Sequence, residues 1–500
     1  MYSNDTNYPK HDAVMIGKGL NRVCTYQMGN KTQVNPHPKE VRDHTKKIKD
    51  DITDCIGNTP LVRINTITKN DGIRCEVLGK CEFLNPGGSV KDRIARRMIK
   101  QAEKDGRIKP GDILAEPTTG NTGVGISMVG AALGYKVIIA LTERMSQEKC
   151  DTMRGLGADV IKTPTEYRCD HVDSHVGRAV HLSRTLPNCH HLDAFSNVSN
   201  PMVHYEETGQ EIWDACDGRL DYVFLGAGTA GTLTGVARKL KDLDPNIKVI
   251  CMDPKGSDLA PARHNAEKPE FGYTIEGLGY DFTPRVCDSD IVDEWIKTDD
   301  EQSYKMARRL IKEEGLIVGG TSGTHMHYAL EYIKKHNIGE GKRCIVFLTD
   351  GVRNYMSRFL NNDWMYENGF ITEEECVKLN STTLVKDNDW GADMTVAELP
   401  LVESPILKTS TTMTDAIDLM KKHKQNFFPV IDENNKVVGT ITAAHLMEKF
   451  TKRKLTMQDP IGKFAIRTFR RVSQGIKINE LCRIFTRLSY VVVDEKYVLQ

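Results

Sequence analysis

Between about residues 50 and 368 the chain alternates two hydrophobic periods. Short apolar runs of strand length lie at 137–141, 159–162, 222–225 and 248–252. Between them, at 147–157 and 232–243, apolar residues recur at three- and four-residue spacing, which predicts amphipathic helices. A further strand-like run at 76–83 precedes a segment with helical spacing of Ile94, Met98, Ile99 and Ala102. Strands that alternate with helices in this way predict α/β layers with largely parallel sheets. The most apolar long run, 124–141, is interrupted by Ser127, Gly130, Gly134 and Lys136. It reads as a buried helix leading into a strand rather than a membrane span. Residues 1–45 are polar and lack periodicity, and 369–393 form a charged, irregular connector. Beyond them, 394–450 carries helix, strand and helix signals, with strands at 428–432 and 437–442 joined by the turn Glu433-Asn434-Asn435-Lys436.

Five hundred residues predict two or three domains. An apolar content of 39% and a charged content of 27% are those of a globular protein, and a net charge of zero implies neither a polyanion partner nor an anionic membrane. The 13 cysteines form no CxxC pair, so reduced thiols in a cytoplasmic protein are expected. The polar N-terminus shows no secretory signal.

Chemistry concentrates at Asn85-Pro86-Gly87-Gly88-Ser89-Val90-Lys91-Asp92-Arg93, between the strand at 76–83 and the following helix. Asn-Pro and Gly-Gly break regular structure, which sets Lys91 at a helix start with its amine turned outward. A lysine there is either a solvated side chain of the first helical turn or a Schiff-base lysine. The whole motif closely resembles the cofactor-lysine motif of the β-family of pyridoxal phosphate (PLP) enzymes. The resemblance implies PLP fold type II, a tryptophan-synthase-β-like two-lobed α/β catalytic core over 46–368.

Other loops fit the same resemblance. Glu116-Pro117-Thr118-Thr119-Gly120-Asn121-Thr122-Gly123 opens a helix, where hydroxyls, an amide and free N–H groups make a carboxylate cradle as well as an N-cap. The family uses this loop for the substrate carboxylate, which implies Thr118, Thr119, Gly120 and Thr122, and it uses the asparagine, Asn121, at the PLP ring oxygen. Gly226-Ala227-Gly228-Thr229-Ala230-Gly231-Thr232 follows a strand and opens a helix; with Asp253 after the next strand it is also the local pattern of a dinucleotide site. Both readings hold phosphate on backbone amides at a helix N-terminus. The resemblance assigns Gly228, Thr229, Ala230, Gly231 and Thr232 to the PLP phosphate, Thr321 to the pyridine nitrogen, and Gly277 and Tyr280 to the substrate entrance. Asp350-Gly351-Val352-Arg353-Asn354-Tyr355-Met356 closes the catalytic region with another family-like motif.

The flanks narrow the family. Val23-Cys24-Thr25-Tyr26-Gln27-Met28-Gly29 with Pro36-His37 resembles the haem segment (1–45) of the cystathionine β-synthases of animals. It implies haem b ligated by the Cys24 thiolate and the His37 imidazole, with Arg238 pairing the thiolate. The region 394–450 resembles one CBS module and 451–500 part of a second, whose last strand and helix are expected to be missing. Modules that bind adenosyl ligands commonly place an aspartate after the final strand, where this chain has His445. Strong S-adenosylmethionine control is therefore not expected, and a packing or dimer-stabilising role stays open beside ligand binding.

The resemblance as a whole implies condensation of L-serine with L-homocysteine to cystathionine and water, the first step of transsulfuration, with hydrogen sulfide from cysteine as a further product. It also implies a homodimer or larger homo-oligomer with no nucleic-acid partner. Two other classes remain open: a cysteine synthase using O-acetylserine, and a non-catalytic haem or nucleotide sensor on the same fold. One position departs from the pattern. The family's glutamine before Asn-x-x-Asn-Pro falls at Ala194, which implies weakened affinity or altered substrate choice.

Overall fold

The computed structural model describes residues 42–500 except 43, 46, 166, 262–272, 382–393, 402–404, 424, 444, 447–455, 467–468, 486–490, 494–496 and 500. Cys24 and His37 thus lie outside the described residues, as does the second part of the connector, 382–393. The chain divides into a unit over 1–377 and a unit over 378–500.

The first unit begins with β1 (Leu61–Arg63), α1 (Thr66–Asn70), β2 (Glu76–Cys81), α2 (Lys91–Lys104), β3 (Ile113–Pro117), α3 (Asn121–Leu133), β4 (Lys136–Thr142), α4 (Gln147–Gly155), β5 (Asp159–Thr163), α5 (His175–Thr185) and β6 (Cys189–His190). It continues through α6 (Ser199–Val203), a π-helical turn at His204–Thr208, α7 (Gly209–Ala215), β7 (Tyr222–Gly226), α8 (Gly231–Leu243) and β8 (Lys248–Pro254). Then come β9 (Glu294–Thr298), α9 (Asp300–Glu314), α10 (Gly320–Lys335), β10 (Arg343–Leu348) and α11 (Asn362–Glu367), and the division between the units falls within α12 (Glu373–Ser381).

Two sheets organise these elements. A six-stranded sheet has the order β1-β2-β10-β7-β8-β9, parallel except for the edge strand β1. A four-stranded sheet, β5-β4-β3-β6, is wholly parallel. The continuous apolar runs follow from burial on both faces. Val223, Leu225, Val249, Cys251, Ile345 and Phe347 pack into one core with α8, while Phe224, Ile250, Met252, Cys344, Val346 and Leu348 pack into another with α9 and α10. The expected strand at 76–83 ends at Cys81, followed by a 3-10 turn at Glu82–Leu84.

The second unit comprises β11 (Leu407–Lys408), α13 (Met413–His423), β12 (Phe427–Ile431), β13 (Val437–Thr442), β14 (Arg471–Val472), α14 (Ile478–Phe485), β15 (Val491–Val493) and β16 (Tyr497–Leu499). Two three-stranded sheets repeat one plan, a parallel pair (β11 with β12, β14 with β15) followed by an antiparallel partner (β13, β16). The expectation that the second module lacks its last strand is corrected, because β16 pairs with β15. Val396, Leu399 and Leu401 pack with Val472, Ile478, Leu481, Val491 and Val493, so the opening segment of the first module completes the core of the second.

Candidate active site

The Lys91 turn is fixed residue by residue. The Asn85 Oδ1 accepts from the Gly57 N–H (2.8 Å), and its Nδ2 donates to the Glu82 carbonyl (2.8 Å) and to Glu82 Oε2 (2.9 Å). Asp92 Oδ2 accepts from the Gly87 N–H at 2.6 Å, and a Cβ on Gly87 would stand 2.6 Å from Asp92 Oδ1, so only glycine fits. Gly88, at φ +84, adopts the left-handed region that favours glycine, and its carbonyl accepts from the Gly351 N–H. The Val90 N–H donates to the Thr349 carbonyl (2.9 Å). Two residues into α2, Arg93 is fully buried and pairs with Glu82 (Nε to Oε2 2.8 Å) and Glu211 (Nη1 to Oε1 2.7 Å). The turn is therefore bolted to the loop after β10 on one side and to a buried ion cluster on the other.

Its consequence for Lys91 differs from the expected outward-pointing amine. The amine faces inward, and burial lowers its pKa to about 8 against the opposing fields of Asp350 and Glu82. Burial also pushes the neighbouring Asp92 up to about 7. A lysine amine with a pKa near neutrality is a competent nucleophile and proton carrier.

Lys91 opens into a cleft walled by the loops before α3 and α8 and by the start of α10. Among the expected residues, Thr119, Asn121, Thr122, Gly228, Thr229, Ala230, Thr232, Gly277 and Thr321 line it, with Leu225, Leu278 and Phe347 as apolar wall. At its far end Ala230 adopts φ +64 and the first N–H groups of α8 follow. A Cβ on Gly228 would meet the Gly277 carbonyl at 2.6 Å, and one on Gly231 would meet Asn200 Oδ1 at 1.8 Å. These small residues form a concave backbone surface at a helix N-terminus, suited to a phosphate. Behind it, Thr232 Oγ1 bonds to His204 Nε2 (3.1 Å); burial drops the His204 pKa to about 3, which keeps the ring neutral.

Four expected residues do not line the cleft. The Thr118 Oγ1 accepts from the N–H groups of Gly120 (2.9 Å) and Gly123 (3.3 Å), so it braces the carboxylate loop from within. Gly120, at φ +117, makes the turn that this bracing requires. Tyr280 is buried behind Thr119 and hydrogen-bonded to it. Gly231 contributes backbone under the cradle. Arg238, part-exposed on α8, is ion-paired with Asp288. Asp253, the acid of the dinucleotide reading, is buried, with its Oδ2 on Lys297 Nζ at 2.6 Å and on the Ala260 N–H at 3.0 Å. A carboxylate so engaged does not present itself to a ribose, and that reading is set aside.

Sequence reasoning missed a buried polar network behind Asn121. Asn121 Nδ2 donates to Asp350 Oδ2 (2.7 Å), and its Oδ1 accepts from Asn354 Nδ2 (3.1 Å). The Tyr355 hydroxyl donates to the same Asp350 oxygen, and Lys149 Nζ joins Tyr355 (2.9 Å) to Glu276 Oε2 (2.8 Å). Lys149 is 0% exposed, and burial raises the Asp350 pKa. Thr321 Oγ1 bonds to Thr349 Oγ1 and lies 3.5 Å from Asp350 Oδ1. Glu116 was also missed: its carboxylate accepts from the N–H groups of Leu192 (3.1 Å), Asp193 (3.1 Å) and Ala194 (2.9 Å), which shapes the segment carrying Ala194. Nothing local marks these partners, which are joined across long stretches of chain.

Comparisons with known proteins agree with this geometry. The family profile described as pyridoxal-phosphate dependent enzyme matches residues 52–350, and the CBS domain profile matches 396–452. The chain is 43% identical to the cystathionine beta-synthase of Mus musculus over 459 residues, covering 92% of this chain and 80% of that one. It is 44% identical to that of Dictyostelium discoideum over 457 residues, covering 90% and 89%. Among solved structures, a hydrogen sulfide-producing enzyme from Fusobacterium nucleatum superposes with a TM-score of 0.57 at 34% identity, covering 62% of this chain and all of the other. An O-ureido-L-serine synthase variant bound to O-ureido-L-serine gives 0.57 at 31%, covering 67% and 100%. A cleft-facing lysine with a lowered pKa, a backbone cradle at a helix N-terminus and this breadth of identity lead to one conclusion: the chain belongs to the cystathionine β-synthase family of pyridoxal-phosphate-dependent enzymes.

Proposed function

We propose that this protein condenses L-serine with L-homocysteine to L-cystathionine and water, with PLP held covalently on Lys91. The observation that carries the reading is the inward-facing Lys91 amine, lowered to a pKa of about 8, opposite the backbone cradle of α8. The Gly228–Thr232 backbone and hydroxyls hold the phosphate, Asn121 meets the ring oxygen and Thr321 the pyridine nitrogen. PLP so bound supplies an electron sink for the charge left when the serine Cα loses its proton.

Lys91 takes that proton and, as the ammonium, gives it to the departing β-hydroxyl, so that water leaves; the homocysteine thiol then gives its proton to the Lys91 amine as its sulfur bonds to Cβ, and Lys91 returns that proton to Cα. Thr119, Thr122 and the first N–H groups of α3 hold the substrate carboxylate. Asp350 and Asn354 clamp both ends of the Asn121 amide, which fixes its plane. Thr321 offers a neutral hydroxyl rather than a carboxylate, which leaves the sink tempered and favours β-replacement over transamination. Gly277 lines the substrate side, and Tyr280 holds Thr119 from behind. By analogy with the sulfide-producing relative, cysteine in place of serine would release hydrogen sulfide.

Haem on Cys24 and His37 belongs to the same proposal. Its support is the Cys24–His37 sequence pattern, whose thiolate and imidazole suit haem iron. Arg238 is half-exposed on α8, within reach of solvent. A homodimer is proposed on the family resemblance. Turnover of serine with homocysteine, set against O-acetylserine with sulfide, tests the assignment: preference for the second pair moves the chain to the cysteine synthases, and no turnover of either moves it to a sensor. Loss of a Soret band in Cys24→Ala tests the haem, and an unchanged band refutes it.

A further inference from the structure

Among the described residues lining the cleft only Lys91 and His325 can titrate. His325 sits on α10, one turn beyond Thr321, and is 0% exposed. Its Nδ1 lies 2.8 Å from the Phe347 carbonyl, which can only accept, so Nδ1 carries the hydrogen and Nε2 presents a lone pair. That Nε2 has no hydrogen-bond partner among the described residues. It lies 2.6 Å from where a Cβ on Gly226 would stand, at the residue that ends β7 and opens the phosphate loop. A buried polar atom aimed at a ligand cleft and left without a partner calls for one in the ligand.

The cradle itself offers a phosphate no cation, because Gly228-Thr229-Ala230-Gly231-Thr232 supplies only neutral donors. Lys91 cannot serve as a second charge there, since its nitrogen is consumed in the covalent bond. A phosphate monoester near neutral pH carries between one and two negative charges, with a second pKa of about 6. We infer that His325 takes up a proton from solvent when the phosphate enters the cleft, and that its imidazolium Nε2–H becomes the cation of the phosphate site. This rests on the proposed PLP reading.

The surroundings are consistent with a switch of this kind. Without the phosphate, burial lowers the His325 pKa to about 4, and the Lys91 ammonium on α2 pushes the same way while the Phe347 carbonyl opposes. Gly226 and Phe347 meet the ring directly, and of the residues that share the cleft with it only Lys91 titrates. His204, behind Thr232, is occupied on both nitrogens by Thr208 and Thr232 and does not face the cleft.

The sign follows from linkage. Uptake occurs at pH values above the free-state value of about 4 and below the raised value of the complex. Over that window the cofactor dissociation constant rises about tenfold per pH unit more than it would without the histidine, and above it the excess levels off.

Two measurements on the full-length chain test the inference. In the wild-type holoenzyme the phosphorus resonance of bound PLP is followed against pH by nuclear magnetic resonance, with the visible band reporting Lys91 separately. An inflection in the phosphorus shift that is absent from the visible band and lost in His325→Gln supports a titrating histidine over the phosphate's own second ionisation, and an inflection unchanged in the variant overturns it. In the second, PLP retained after dialysis at several pH values gives the dissociation constant for wild type, His325→Asn, whose amide still donates to the Phe347 carbonyl, and His325→Gln. The variants should lose the tenfold-per-unit excess. Equal pH slopes in all three overturn the role of His325 while leaving the PLP assignment in place. A wild-type chain that binds no PLP at any pH overturns both.

Discussion

Glu82→Gln separates the contribution of the buried ion cluster from that of the cleft it supports. Glu82 is 0% exposed, and its two oxygens accept from Arg93 Nε (2.8 Å), Arg93 Nη2 (2.8 Å), the Thr59 hydroxyl (2.6 Å) and Asn85 Nδ2 (2.9 Å). Glutamine removes the charge and turns an amide N–H₂ towards at least one of these donors. Breaking a buried pair by removing one partner costs about 3–5 kcal/mol. Glu211 still binds Arg93 at 2.7 Å and Lys80 at 2.6 Å, which holds the expected loss near the lower bound of about 3 kcal/mol. Glu211→Gln should cost less, because Glu211 is 16% exposed and water can reach the orphaned cations. Urea unfolding read by the PLP band would give both midpoints. Since Glu82 also ties down Asn85, the Glu82→Gln protein should retain less PLP at equal concentration. A Glu82→Gln midpoint indistinguishable from wild type, or one less affected than that of Glu211→Gln, would refute the reasoning.

Other consequences are equally direct. Gly228→Ala drives a methyl to 2.6 Å from the Gly277 carbonyl, so PLP affinity should fall by at least tenfold in a cofactor titration while circular dichroism stays near wild type. The buried, neutral His175 and His204, with pKa values lowered to about 4 and 3, contribute stability that is present above the unfolded value of about 6.5 and lost as pH falls through the window down to those values. Thermal scans of His175→Phe should therefore show a flatter loss between neutral and acid pH than wild type. Ala194→Gln should restore a hydrogen bond to the substrate carboxylate worth about 1.5–3 kcal/mol, or roughly 10- to 150-fold in serine binding, and equal steady-state constants for the two proteins would count against it.

The alternation of strand and helix periods was legible because both faces of the central strands are covered, which leaves long apolar runs in the sequence. The Lys91 turn was legible because its chemistry is local: each residue from Asn85 to Arg93 satisfies a constraint within or beside the turn. The inward direction of the lysine was not, since it depends on the Thr349–Gly351 backbone, far along the chain. The same distance hid the Lys149–Glu276–Tyr355–Asp350 network and the three-amide grip of Glu116, whose members look like ordinary surface charges in sequence. His325 carries no local signal, because only packing against Gly226 brings its Nε2 to the cleft. The second small sheet was underestimated because part of its core, Val396 to Leu401, comes from the start of the preceding module.

The central claim is that Lys91 carries PLP and drives β-replacement on serine. The most direct measurement is the absorption spectrum of the purified protein on addition of serine and then homocysteine, with cystathionine measured at the end, for wild type and Lys91→Ala. The account predicts a wild-type cofactor band that changes with serine, reverts with homocysteine and yields cystathionine, and a Lys91→Ala protein that yields none. A wild-type band indifferent to serine, or cystathionine formed at the wild-type rate without Lys91, would contradict it.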